Sequence, residues 1–104
     1  MKKVIALCAC PMGLMHTFMA AEAIEKTALG RGYDVKVETQ GADGIRNKLS
    51  EKDIEDADII IHSVEITPSE MERFEGKEVY EIPIADILRD PEGIFDEIEE
   101  DKGF

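Results

Sequence analysis

A short apolar run, Val4 to Cys8, breaks at Pro11 and Gly13 and gives way to a helix-forming run from Phe18 to Leu29. This is the feature that most constrains the chain. A near-continuous apolar run of this length reads as a parallel strand covered on both faces. A strand that turns tightly into a helix aims backbone N–H groups, and the positive end of the helix dipole, into the turn. The turn is therefore a ready-made anion site, and the residue that opens it is Cys10. Free cysteine titrates near pH 8.5, and helix N-termini lower this to roughly 3.5–7.5. A thiol favoured as thiolate beside an anion cradle points to a cysteine that carries a phosphoryl group.

The rest of the chain repeats the alternation. Thr17, Ala20, Ala21, Ile24 and Ala28 recur at helical spacing, and Gly30 and Gly32 end that helix. Asp34 to Thr39 alternates and reads as an edge strand with one polar face. Residues 40–44 read as a loop and Ile45 to Leu49 as a helical turn. Ser50 with Asp53 three residues on reads as a capped helix start. Ile59-Ile60-Ile61 is strongly β-branched and reads as a central strand. A short helix over Glu70 to Phe74, a strand over Glu78 to Ile82 and a helical turn over Ala85 to Leu88 follow. Asp90-Pro91 is an N-cap with proline at the first helical position, and Ile94, Phe95 and Ile98 form the inner stripe of the last helix. One domain over residues 1–101 is expected, with a frayed tail at 102–104.

This order predicts a three-layer α/β/α, Rossmann-like fold with a four-stranded parallel sheet in the order 2-1-3-4. Ligands of such sheets bind beyond the carboxyl ends of the strands, at the topological switch point. That point falls between the first and third strands. It brings Cys10 and the loop from His62 to Glu65 to one crevice.

Composition removes several classes. The 104 residues carry a formal net charge of −12, which argues against nucleic acid and against unaided docking on an anionic lipid surface. No run approaches the roughly 20 apolar residues of a membrane span. The chain is expected to be cytoplasmic and not inserted in a membrane. Two cysteines, Cys8 and Cys10, are too few and too close for a disulfide framework. Cys8 lies inside the strand and reads as core. Neither His16 nor His62 stands at zinc-site spacing, so no metal and no cofactor are expected.

His16, six residues after Cys10, is a candidate to stabilise thiolate, to donate to a phosphate oxygen as neutral imidazole, or to begin the helix. Thr17 reads first as a helix cap and second as a phosphate ligand. Phe18 and Met19 lie off the buried stripe and, with Gln40 and His62, are candidate partner contacts; the other readings are that Gln40 only turns the chain and that His62 is simply partly buried.

The segment Cys10-Pro11-Met12-Gly13-Leu14-Met15-His16-Thr17-Phe18-Met19-Ala20-Ala21-Glu22 resembles the active-site segment of the fructose-type IIB component of the bacterial sugar phosphotransferase system. Val37 to Gly41, Asp53-Ile54, Ala57-Asp58-Ile59, Arg73-Phe74, Gly76-Lys77 and Val79-Tyr80 extend the resemblance over nearly the whole chain. It implies a phosphotransferase in which Cys10 accepts a phosphoryl group from phosphohistidine of a IIA partner. Cys10 would then pass it to a sugar held by a membrane IIC partner. Residues 11–16, with Thr17, would cradle the phosphate. The chain departs from the family pattern at Met12, where threonine is usual, at the bulky Leu14 and Met15, and at Cys8, where threonine is common. Met12, Met15, Phe18 and Met19 are expected to form an apolar collar for both partners.

Two other classes fit parts of the pattern. A small tyrosine-phosphatase or arsenate reductase shares the spacing but needs arginine where His16 stands. A phosphorylated regulatory domain needs no acceptor sugar.

Overall fold

The structure, a computed structural model, describes residues 2–10, 14–41, 44–66 and 68–104, with the backbone alone for residues 14–16. Strand β1 (Lys3–Ala9) leads to helix α1 (Leu14–Gly30), strand β2 (Asp34–Gly41) and strand β3 (Gly44–Arg46). Helix α2 (Glu51–Asp56), strand β4 (Ile59–Val64), a 3-10 helix (Met71–Phe74) and strand β5 (Tyr80–Glu81) follow. Helices α3 (Ile84–Arg89) and α4 (Pro91–Lys102) complete the chain.

β1 lies at the centre of the sheet. Every one of its residues from Val4 to Ala9 is fully buried, as a strand covered on both faces must be. Its alternation divides the core. Val4, Ala6, Cys8 and Cys10 face a cluster with Ala20, Ile24 and Ala28 of α1, Ile84 and Ile87 of α3, and Phe95 and Ile98 of α4. Ile5 and Leu7 face the other layer, with Leu49, Ile54, Ile60 and Phe74. A side chain as large as Leu7, fully buried, contributes about 1.5–3 kcal/mol through the water it sheds. The small Ala20 and Ala28 let α1 lie close on the sheet.

Local signals set the element ends. α1 stops where Gly32 takes φ 81°, and the N–H groups of Gly32 and Tyr33 return to the carbonyls of Leu29 and Ala28. Ser50 and Asp53 form a reciprocal capping box at the start of α2. Asp90 caps α4 through the Gly93 N–H, with Pro91 at the first position. α4 runs through Lys102 and closes on Gly103, whose φ is 77°, so it passes the boundary expected at residue 101.

The sheet differs from expectation. It has five strands in the order β3-β2-β1-β4-β5, and it is mixed. Its parallel part, β2-β1-β4-β5, keeps the expected 2-1-3-4 sequence of strands, but β3 adds an antiparallel edge. β3 includes Gly44 and Ile45, expected to be loop and helical turn. Gly44, at φ 105°, lies opposite Gly41 where the chain folds back, so Ile45 and Arg46 pair with Gln40 and Thr39. β2 is accordingly an inner strand and not the edge. The last strand is only Tyr80–Glu81, shorter than the expected 78–82. α1 begins at Leu14, so Thr17 lies inside the helix and does not cap it.

Candidate phosphotransfer site

Cys10 stands directly after β1 and shortly before α1, at the carboxyl end of the parallel strands. It continues the β1–β2 ladder by one step, its N–H donating to the Gln40 carbonyl at 3.3 Å. On the other side, the Glu65 N–H donates to the Ala9 carbonyl at 2.9 Å. The end of β1 is thus fixed by main-chain hydrogen bonds on both sides, at the switch point of the parallel strands.

The Cys10 side chain is 4% exposed, more covered than a sulfur open at the surface. Its Sγ lies 3.5 Å from Oε2 of Glu65, within reach of an S–H donor. Cys8, two residues earlier on the same face, is fully buried, and burial pushes its thiol up to about 12, so it stays protonated and inert. The two cysteines are both unpaired. Only Cys10 stands at the strand end.

Residues 11–13, the first half of the expected phosphate loop, lie outside the described residues. So do the side chains of Leu14, Met15 and His16, although their backbone forms the first turn of α1. Thr17 is 2% exposed, and its Oγ1 has no hydrogen-bond partner among the described residues. Phe18 and Met19 are exposed, at 38% and 48%. The Arg46 guanidinium of β3 lies 5.2 Å from the Phe18 ring centroid. Gln40 and His62 are both buried and offer no surface to a partner, so for His62 the alternative of a buried residue after the central strand is the one found. The His62 ring packs edge-on against Phe74, 4.4 Å between centroids, and burial pulls its pKa down. It is a neutral core histidine.

A polar network that the alternation of β2 does not reveal supports the site. Glu38 is fully buried, and its Oε1 and Oε2 accept from Arg73 at 2.8 and 3.1 Å. Gln40 Nε2 donates to Glu38 Oε2 at 2.7 Å, and the Leu49 N–H donates to Oε1 at 2.7 Å. Burial alone would raise the Glu38 pKa, but the Arg73, Gln40 and Leu49 donors outweigh it and hold the carboxyl below its usual range. Gln40 then reaches across to Ser69, accepting from its N–H at 2.8 Å and donating to its carbonyl at 3.1 Å. Glu65 is thereby tied to β1, and Ser69 to β2. The sequence carried one signal for this network: Glu38 and Gln40 stand one strand period apart, on a single face.

Among the described residues, no group of three His, Cys, Asp or Glu side chains could hold a metal ion. No helix among them is long and apolar enough to cross a membrane.

An α/β domain with a free cysteine at the switch point of its parallel strands, shortly before a helix N-terminus, fits the class of small phosphoryl-handling α/β domains. Comparison narrows this. Residues 5–97 match the family described as "PTS system, Lactose/Cellobiose specific IIB subunit". The chain is 62% identical to the PTS system fructose-like EIIB component 1 of Escherichia coli K12, over 95% of this chain and 92% of that one. It is 43% identical to fructose-like EIIB component 2 of the same strain, over 95% and 93%. The solution structure of an Escherichia coli K12 Enzyme IIB subunit superposes with a TM-score of 0.89, at 62% identity over 95% and 92% of the two chains. A domain of a Borrelia burgdorferi fructose-specific IIABC component superposes with a TM-score of 0.85, at 42% identity over 92% and 91%. The chain belongs to the IIB family of the sugar phosphotransferase system, on its fructose-like branch. It is a phosphocarrier domain and acts as a phosphotransferase in sugar uptake. A phosphatase, reductase or purely regulatory reading is not favoured.

Proposed function

We propose that Cys10 is the residue that carries the phosphoryl group, taking it from phosphohistidine of a IIA protein and delivering it to a sugar held by a membrane IIC protein. The observation that carries this reading is the place of Cys10, at the carboxyl end of the central strand with α1 beginning four residues later. Sulfur attacks phosphorus in line with the nitrogen that leaves, and the same sulfur later leaves in favour of a sugar hydroxyl. Charge builds on the three equatorial oxygens in each transfer. The main-chain N–H groups of residues 12–16, Pro11 having none to give, and the positive end of α1 are the donors proposed to stabilise that charge. The unpartnered Thr17 hydroxyl is a further donor for a phosphate oxygen. Exposed Phe18 and Met19 give both partners an apolar foothold. A cytoplasmic location at the inner face of the membrane, reached through IIC, follows from this role.

Intact-mass spectrometry after mixing with a phosphorylated fructose-type IIA protein tests the assignment. The wild type and Cys8→Ala gain one phosphoryl group, and Cys10→Ser gains none that survives transfer conditions. Uptake by Cys10→Ser at the wild-type rate would sink the proposal.

A further inference from the structure

The Glu65 carboxylate has no role in the fold described above, yet it reaches the one sulfur the proposed chemistry uses. Its Oε2 lies 3.5 Å from Cys10 Sγ, while its side chain is otherwise exposed and its backbone is held by Ala9. We propose that Glu65 is a further catalytic residue, the acceptor of the Cys10 thiol proton during phosphoryl transfer. This rests on the reading of Cys10 as the phosphoryl acceptor.

The step balances without any further reagent. The S–H proton passes to Glu65 Oε2 as sulfur forms its bond to phosphorus. The N–P bond of the donor phosphohistidine breaks, and its electron pair stays on the imidazole nitrogen, which takes a proton from water. In the second transfer the O–P bond to the sugar forms as S–P breaks. Glu65 passes its proton on to solvent before the second partner arrives; the electron pair then returns to sulfur, which takes a proton from solvent, and the sugar hydroxyl gives one up to solvent.

Charge favours this assignment over a passive contact. A thiol beside a carboxylate and a thiolate beside a carboxylic acid carry the same total charge. The nucleophile is made without adding charge to the pair that meets the incoming phosphoryl group. On its other side Glu65 borders a hollow that Cys10 does not line, with His62, Val64, Glu81, Ile82 and Ile84. His62, buried against Phe74 and held neutral, and Glu81 are its other titratable groups among the described residues.

The position is built for the role. Glu65 sits one residue past β4, and the segment after it is fastened to Gln40 through Ser69. The hydrogen bond of the Glu65 N–H to Ala9 sets the carboxylate at the strand end beside Cys10.

Single-turnover phosphorylation of the full chain by a phosphorylated fructose-type IIA protein decides the matter. Glu65→Gln keeps shape and polarity but cannot take the proton. It should slow phosphorylation of Cys10 by about a hundredfold, in the range expected for loss of general base catalysis. The half-saturating IIA concentration and the thermal midpoint should not change. The wild-type rate should fall in heavy water, that sensitivity should vanish in Glu65→Gln, and Glu65→Asp should recover part of the rate. A Glu65→Gln rate equal to wild type overturns the inference, as does slowing seen only as a raised half-saturating concentration. Absence of phosphate from wild-type Cys10 would instead overturn the proposed function, a result distinguishable from either.

Discussion

Two arginines hold two ends of this molecule, and they do so in opposite physical regimes. Arg73 lies near the carboxyl end of the strands, where its side chain is 8% exposed against a Glu38 that is fully buried. Arg31 lies just past the end of α1, at the amino ends of the strands. It gathers Glu92, Asp96 and Glu99 of α4 in ion pairs of 2.8 Å, with two of those carboxylates well exposed, at 66% and 69%. The first arrangement positions. It fixes β2 through Glu38, the 3-10 helix through the Glu70 carbonyl and the chain before α2 through the Leu49 carbonyl. The second fastens α4 to α1 from outside, where water competes for every contact. The buried network stands at the end where chemistry requires fixed geometry.

The comparison breaks most readily at Arg73. Arg73→Ala strands a buried carboxylate and should cost about 3–5 kcal/mol in urea unfolding. Pairing it with Glu38→Leu should recover most of that, since the stranded charge is then gone. A loss below about 1 kcal/mol for the single change would erase the distinction between the two ends.

Asp53 lies between these extremes. It is 18% exposed and meets Lys3 and Lys36 at 2.9 Å each, as well as closing the α2 capping box. Hydrogen bonding to Lys36 first, then to the Ser50 N–H and Lys3, holds its carboxyl well below the usual range. The folded-state value is thus lower than the unfolded one. The resulting stability is complete above the unfolded value of about 4 and is lost as pH falls below it. Glu38 acts in the same direction. Asp53→Asn should lower stability at neutral pH by about 1–2 kcal/mol, as for two partly covered ion pairs. It should also flatten the acid limb of a chemical-denaturation profile taken from pH 7 to pH 3. An acid limb as steep as that of wild type would remove Asp53 from this account.

Arg31→Ala should have the smallest effect, about 1 kcal/mol. Added salt should shrink it further, because exposed pairs are screened. The Arg73 defect should persist in the same salt. Equal salt sensitivity at the two sites would show that burial is not what separates them.

The two networks also show what could be read from residues alone. Glycine, proline and the capping pairs act over a few residues, so the end of α1 at Gly32, the box at Ser50 and Asp53, and the Asp90-Pro91 start of α4 were legible. So was the central strand that leads to Cys10. Glu38 was not, because its alternation with Val37 looks like a polar edge until Arg73, 35 residues further on, supplies the charge that permits burial. β3 escaped for a related reason. Ile45 has no local strand pattern, and only its pairing with Gln40 makes it one. In the site, the place of Cys10 at a strand end could be read, whereas its covering and its contact with Glu65 could not. That contact joins residues 55 apart.

The outer strands of the sheet are very short, three residues in β3 and two in β5. An extended segment from another chain finds little main-chain ladder to continue on either flank. Strand addition would gain few main-chain bonds here, which in the proposed role leaves the rim where the strands end as the landing place for visiting proteins. Donor and acceptor would then compete for one landing ground, so that the carrier serves them in turn and never bridges both at once.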